Sequence, residues 1–114
     1  MPTQPNIKAE RIDGDLDINS LSVAYVTKAI AYTISASDHT IEVTTAGATQ
    51  TLPTAVGVTG KMYRILNASL GVVRVATTSS QTIGNLNSGN PTFVDLGPEE
   101  WLDVISNNTN WRII

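Results

Sequence analysis

The chain of 114 residues contains no cysteine. That excludes disulfide staples, thiolate metal sites and a cysteine nucleophile. It contains one histidine, His39, so few routes to acid–base catalysis are open. Charged residues make up only 15%, against about 25% in an average soluble domain. Scarce charge means either a surface that meets another protein or one solvated by Thr, Ser and Asn. No apolar run approaches the ~20 residues of a membrane span. Met1–Glu10 is polar and carries Pro2 and Pro5, unlike a secretory signal. The basic residues Lys8, Arg11, Lys28, Lys61, Arg64, Arg74 and Arg112 are scattered, and the net charge is −3. A polyanion would be repelled, so neither nucleic acid nor membrane is expected as a partner.

Motifs that carry chemistry are equally sparse. His39 follows Asp38, but neighbours on a strand point to opposite faces and should not pair. Asp13, Asp15 and Asp17 would share one strand face and could meet a hard cation. The calcium-loop pattern nevertheless fails, with Ile18 in place of its glycine and Ala24 in place of its final acid. A solvated acidic edge that discourages strand pairing is the simpler reading. Gly57–Lys61 ends like a phosphate loop, but Ala55 stands at the first glycine and Met62 follows the lysine. It reads as a turn. Asn67-Ala68-Ser69 and Asn107-Asn108-Thr109 match the glycosylation sequon by chance. Glu99-Glu100 are adjacent in a turn and should diverge, unlike the paired carboxylates of glycosidases. The expectation is a protein that is not an enzyme and needs no cofactor or metal.

What is present is the alternation of β-strands. Ile12, Gly14, Leu16 and Ile18 fall on one side of a first segment, the period of a half-buried strand. An isolated strand needs a sheet to join, so residues 1–28 read as an extended anchoring arm and linker. Its anchoring residues are expected to be Ile7, Ile12, Leu16, Ile18 and Leu21. The stretch Ser20–Ala31, which links the arm to the first main strand, is ambiguous. A helical stripe from Leu21 and Ala24 breaks at Lys28, and Val23, Val26, Thr27 and Ile30 are β-branched. From residue 29 onward short strands recur between Gly, Pro, Asn and Ser clusters: Ala29–Ser35, Asp38–Thr45, Thr49–Leu52, Lys61–Asn67, Val72–Thr77, Gln81–Ile83, Thr92–Leu96, Trp101–Ser106 and Trp111–Ile114. Met62, Arg64 and Leu66 should share one face, and Tyr63, Ile65 and Asn67 the other. The pattern predicts an all-β fold: a small antiparallel β-sandwich or barrel over residues 29–114. No internal repeat is evident. The apolar ending Trp111–Ile114 predicts a strand locked into the sheet or a subunit interface. The interface residues are expected to be Trp101, Trp111, Ile113 and Ile114. If the last two strands form a hairpin, Trp101 and Trp111 could instead approach each other as a platform for sugar rings.

Tyr32-Thr33-Ile34-Ser35-Ala36-Ser37-Asp38, Thr51-Leu52-Pro53, Gly60-Lys61-Met62-Tyr63-Arg64-Ile65-Leu66-Asn67 and Asn107-Asn108-Thr109-Asn110-Trp111 occur in an order that resembles a small β-domain of bacteriophage virion proteins. That domain recurs in head fibres, capsid decoration proteins and tail-fibre tips. The chain departs from the pattern at Asn108, where a glycine would stand. The resemblance implies a homotrimer of β-rich subunits carried on the virion by an N-terminal segment. The shortness of the chain favours a capsid decoration (cement) protein or short head fibre that binds the major capsid protein on the capsid exterior, assembled in the host cytoplasm. The alternative is a receptor-binding tail-fibre tip that recognises a host-surface glycan.

Overall fold

The computed structural model describes residues 22–84 and 90–114. These residues form ten strands and no helix: β1 Tyr25–Lys28, β2 Tyr32–Thr33, β3 Thr40–Val43, β4 Gln50–Thr51, β5 Met62–Asn67, β6 Val73–Ala76, β7 Ile83–Gly84, β8 Phe93–Leu96, β9 Trp101–Ser106 and β10 Trp111–Ile113. The protein is therefore all-β. Its strands make two mixed sheets, one in the order β1-β3-β5-β9-β10-β7 and the other β2-β4-β6-β8.

The first half of the domain is a coil. Successive strands alternate between the sheets, and each lies parallel to the strand two before it. Tyr25, Thr40 and Arg64 occupy equivalent positions on three consecutive turns, as do Tyr32, Gln50 and Val75. The remaining strands close the coil. β8 runs antiparallel to β6, β9 antiparallel to β5, and β10 enters between β9 and β7.

This corrects two expectations. The domain is not an antiparallel sandwich, because five of the eight strand pairings among the described residues are parallel. A parallel partner requires a crossover, and in the coil the crossover is the strand of the opposite sheet. Tyr25–Lys28 is not linker either. It is the edge strand of the larger sheet, held by Thr40 N–H to the Ala24 carbonyl and Thr44 N–H to the Lys28 carbonyl. Its β-branched Val26 and Thr27 suit that role. The arm positions Ile7, Ile12, Leu16, Ile18 and Leu21, and Asp13, Asp15 and Asp17, lie outside the described residues.

The core fills the space between the sheets. Ile41, Val43, Ile65, Val104 and Trp111 from the larger sheet, and Val73 and Val75 from the smaller, are fully buried. Tyr63, Ile65 and Asn67 turn inward and Met62, Arg64 and Leu66 outward, as alternation along β5 requires. Leu52 and Ile34 seal the core from the connections. Trp111 anchors it: its ring lies 5.5 Å from that of Tyr63, and its Nε1–H donates to the Pro53 carbonyl at 3.2 Å.

The two rims of the coil differ in chemistry. On one rim, Asp38 is buried and its carboxylate accepts from the Tyr32 hydroxyl at 2.6 Å and from Ser35 N–H at 2.9 Å. Lys61 Nζ donates to the Ala36 and Asp38 carbonyls, and the Tyr63 hydroxyl donates to the Ser35 carbonyl. The other rim carries the connections 29–31, 44–49 and 68–72, none of which contains a charged residue. Gln50 Nε2 ties the first turn there to the second, donating to the Ile30 and Ala48 carbonyls. The second meets the third where Gly47 N–H donates to the Val72 carbonyl. Gly71 is required at this point, since a Cβ there would stand 2.8 Å from the Ala46 Cβ.

Candidate functional site

The segments that carry the family resemblance are occupied in building the fold. Tyr32, Ser35, Asp38, Lys61 and Tyr63 form the network of the polar rim. Burial pushes the Asp38 carboxyl up, but the hydrogen bonds from Tyr32 and Ser35 and the nearby Lys28 charge together hold it below its ordinary value. Burial, followed by the charge of Asp38, raises Tyr63. Asn67 is fully buried with all its bonding capacity directed at its own chain. It donates to the Gly71 and Leu96 carbonyls and accepts from Ser69 N–H and Oγ. A glycan on this sequon would have to displace those bonds. Asn107, Asn108 and Asn110 shape the last hairpin, where Asn108 takes a φ of 80° and accepts from Gly57 N–H. Asparagine tolerates that conformation well, which explains why it can stand where the pattern has glycine.

The four expected interface residues separate. β9 and β10 do form a hairpin, but its register places Trp111 opposite Ser106, on the inward face, while Trp101 points outward. Trp111 is 0% exposed and Trp101 61%. Trp111 is therefore a core residue of the single subunit, and the two rings cannot form one sugar platform. Ile113 packs partly against the core, and Ile114 is exposed, its N–H donating to the Asp103 carbonyl. His39 Nδ1 lies 2.8 Å from Thr40 Oγ1, and Asp38 is held by Tyr32 and Ser35 instead. Among the described residues no cluster of three or more His, Cys, Asp or Glu could hold a metal.

Two exposed features stand out. The first is the outer face of the larger sheet. Arg64 grips Asp103 directly across the strand pair with two bonds, Nε to Oδ1 at 2.7 Å and Nη2 to Oδ2 at 2.8 Å. The Arg64 guanidinium lies 6.0 Å from the centre of the Trp101 ring. Glu42 accepts from the Tyr25 hydroxyl at 3.0 Å and the Thr27 hydroxyl at 3.1 Å, and the bond to Glu42 raises the Tyr25 pKa. Tyr25, Thr40, Arg64, Leu66, Glu99 and Trp101 line a groove of about 370 Å³. Glu99 reaches it from the turn Gly97–Glu100, where it adopts a φ of 67°, while Glu100 folds back onto Gly97 N–H. The smaller sheet has a similar outward cluster, in which Arg74 pairs with Asp95 and lies 3.8 Å from the Phe93 ring.

The second feature is the apolar surface that the connections 29–31, 44–49 and 68–72 form on the other rim. Ile30 is 71% exposed, Leu70 99% and Val72 54%, set among Ala29, Ala31, Ala46 and Gly47. Lys28 borders these residues in the chain, and the glutamates of the return turn are brought close by Glu99 N–H to the Asn67 carbonyl and Asn67 N–H to the Glu100 carbonyl. Sequence reading missed this surface because its residues lie in three connections that only the coil brings together. The signal was the absence of charge from each of them.

The chain matches no family model, no curated protein and no solved structure.

Proposed function

We propose that the chain is a structural component of a bacteriophage virion, a capsid decoration protein or short head fibre. Its β-domain associates with two further copies of itself, and its N-terminal segment attaches it to the major capsid protein. Each bound copy would tie neighbouring capsid subunits together and stabilise the shell by mass action. The observation that carries self-association is the apolar surface of the connections 29–31, 44–49 and 68–72, with Ile30, Leu70 and Val72 exposed. An apolar centre with charged groups at its border is the usual composition of an interface between copies. The virion assignment draws on the resemblance of the four motif segments. Those residues make the fold, so they support a shared architecture and leave attachment to the rim and the N-terminal segment.

Multi-angle light scattering tests the reading. The expected mass is three times that of the chain, and Ile30→Glu with Leu70→Glu should yield a folded monomer, because both side chains are exposed in the single subunit. A wild-type monomer at micromolar concentration would refute self-association. Removal of residues 1–21 should abolish binding to capsids while leaving the trimer intact.

A further inference from the structure

The groove beside Trp101 has a composition unlike that of the apolar rim. An indole ring lies open to solvent, with hydrogen-bonding groups arranged around it. Arg64 spends Nε and Nη2 on Asp103, which neutralises the pair and leaves Nη1 unengaged among the described residues. The Tyr25 and Thr27 hydroxyls converge on one Glu42 oxygen. Protein interfaces are depleted of Glu and Asp at their centres, so this carboxylate-bearing groove is poorly suited to a second copy. Its volume of about 370 Å³ falls within the ~300–1,000 Å³ of small-ligand clefts. The carboxylates of Glu42 and Glu99 have no cation partner among the described residues, so an anionic ligand would be repelled.

Glu99 supplies an independent observation. It follows Pro98 in a turn closed by Glu100 N–H to the Gly97 carbonyl at 3.1 Å, and its φ of 67° is the value that favours glycine or asparagine there. A glutamate in that position is strained, and strain of this kind clusters at ligand sites. Glu99 is one of the residues that line the groove.

We infer that this groove binds a neutral pyranose sugar, one C–H face of which stacks on Trp101 while its hydroxyls bond to Glu99, Arg64 and Tyr25. A pyranose presents an apolar face and a polar perimeter, the same pairing that the groove offers. The inference does not depend on where the protein sits or on association through the apolar rim.

The test uses the full chain and its tryptophan fluorescence. Tri-N-acetylchitotriose, maltotriose and methyl β-D-galactoside are the neutral probes, and D-glucuronate is the anionic counterpart. At least one neutral probe should give saturable quenching with a Kd of about 1 mM, a typical weak affinity. Trp101→Ala should keep the fold, since its ring is exposed, and lose at least about ten-fold in affinity, measured by calorimetry or by amide shifts. Glu99→Gly should raise the Tm and lower the affinity together, whereas a purely structural glutamate would raise the Tm alone. The proposal is overturned by no saturable response to any neutral probe, by equal binding in Trp101→Ala, or by D-glucuronate binding as tightly. It is also overturned if Trp101 emission shifts to the blue with protein concentration, which would mean that another copy covers the groove.

Discussion

The two tryptophans show how one residue type serves opposite ends. Trp111 touches Tyr63 and gives its indole hydrogen to Pro53, so it holds the strand of the chain's end to the middle of the core. Truncation of such a ring leaves a cavity and an unpaired carbonyl, at a cost of about 3–5 kcal/mol. Urea denaturation of Trp111→Ala should show that loss, and Trp101→Ala should lie within about 0.5 kcal/mol of the parent, as surface substitutions usually do. A prediction about pH belongs to Asp38. Its carboxyl is held below the ordinary value of 3.8 in the folded chain. A depressed carboxyl contributes stability above its unfolded pKa, and that contribution is lost as the pH falls through the folded value. The parent should therefore lose urea resistance between about pH 5 and pH 2. Asp38→Asn should be less stable at pH 7 and show a shallower decline over that window.

At the scale of elements, the rim of small residues sets the spacing of the coil. Gly71 and Ala46 bring the second and third turns together. Gly71→Ala should destabilise the domain by about 1–3 kcal/mol through overpacking, and adding Ala46→Gly should recover most of it, as a thermal double-mutant cycle will show. Much of the strand content was legible in the sequence. Met62–Asn67 alternates cleanly, and both its faces are where alternation puts them. Strand direction was not legible, since a period of two is the same for parallel and antiparallel partners. The coil was hidden by its unequal turns, with Tyr25, Thr40 and Arg64 spaced fifteen and then twenty-four residues apart. β1 was hidden because its edge position leaves Tyr25 and Thr27 exposed, which blurs the pattern. The groove escaped for a related reason: Tyr25, Arg64 and Trp101 come from three strands, and only the order β1-β3-β5-β9 sets them on one face.

At the scale of the whole molecule, the surfaces divide by chemistry. The connections 29–31, 44–49 and 68–72 present apolar groups and contain no charged residue, so association through them should survive high salt. The three-fold mass expected above should persist at an ionic strength of about 1 M, where the screening length is only about 3 Å. The groove face has its charges in place and remains accessible in a single subunit. The order of strands also has a mechanical consequence. The described chain enters the larger sheet at its margin, in β1, which among the described residues pairs only with β3, and it leaves from the interior, in β10, clamped by β9 and β7. A load applied through the N-terminal side would draw against β1 alone and could detach four residues while the core stays closed. The same load on the other end would have to shear two ladders at once. A tether at the N-terminal end would thus yield a little before the domain fails, so that the first turn of the coil acts as a shock absorber for everything behind it.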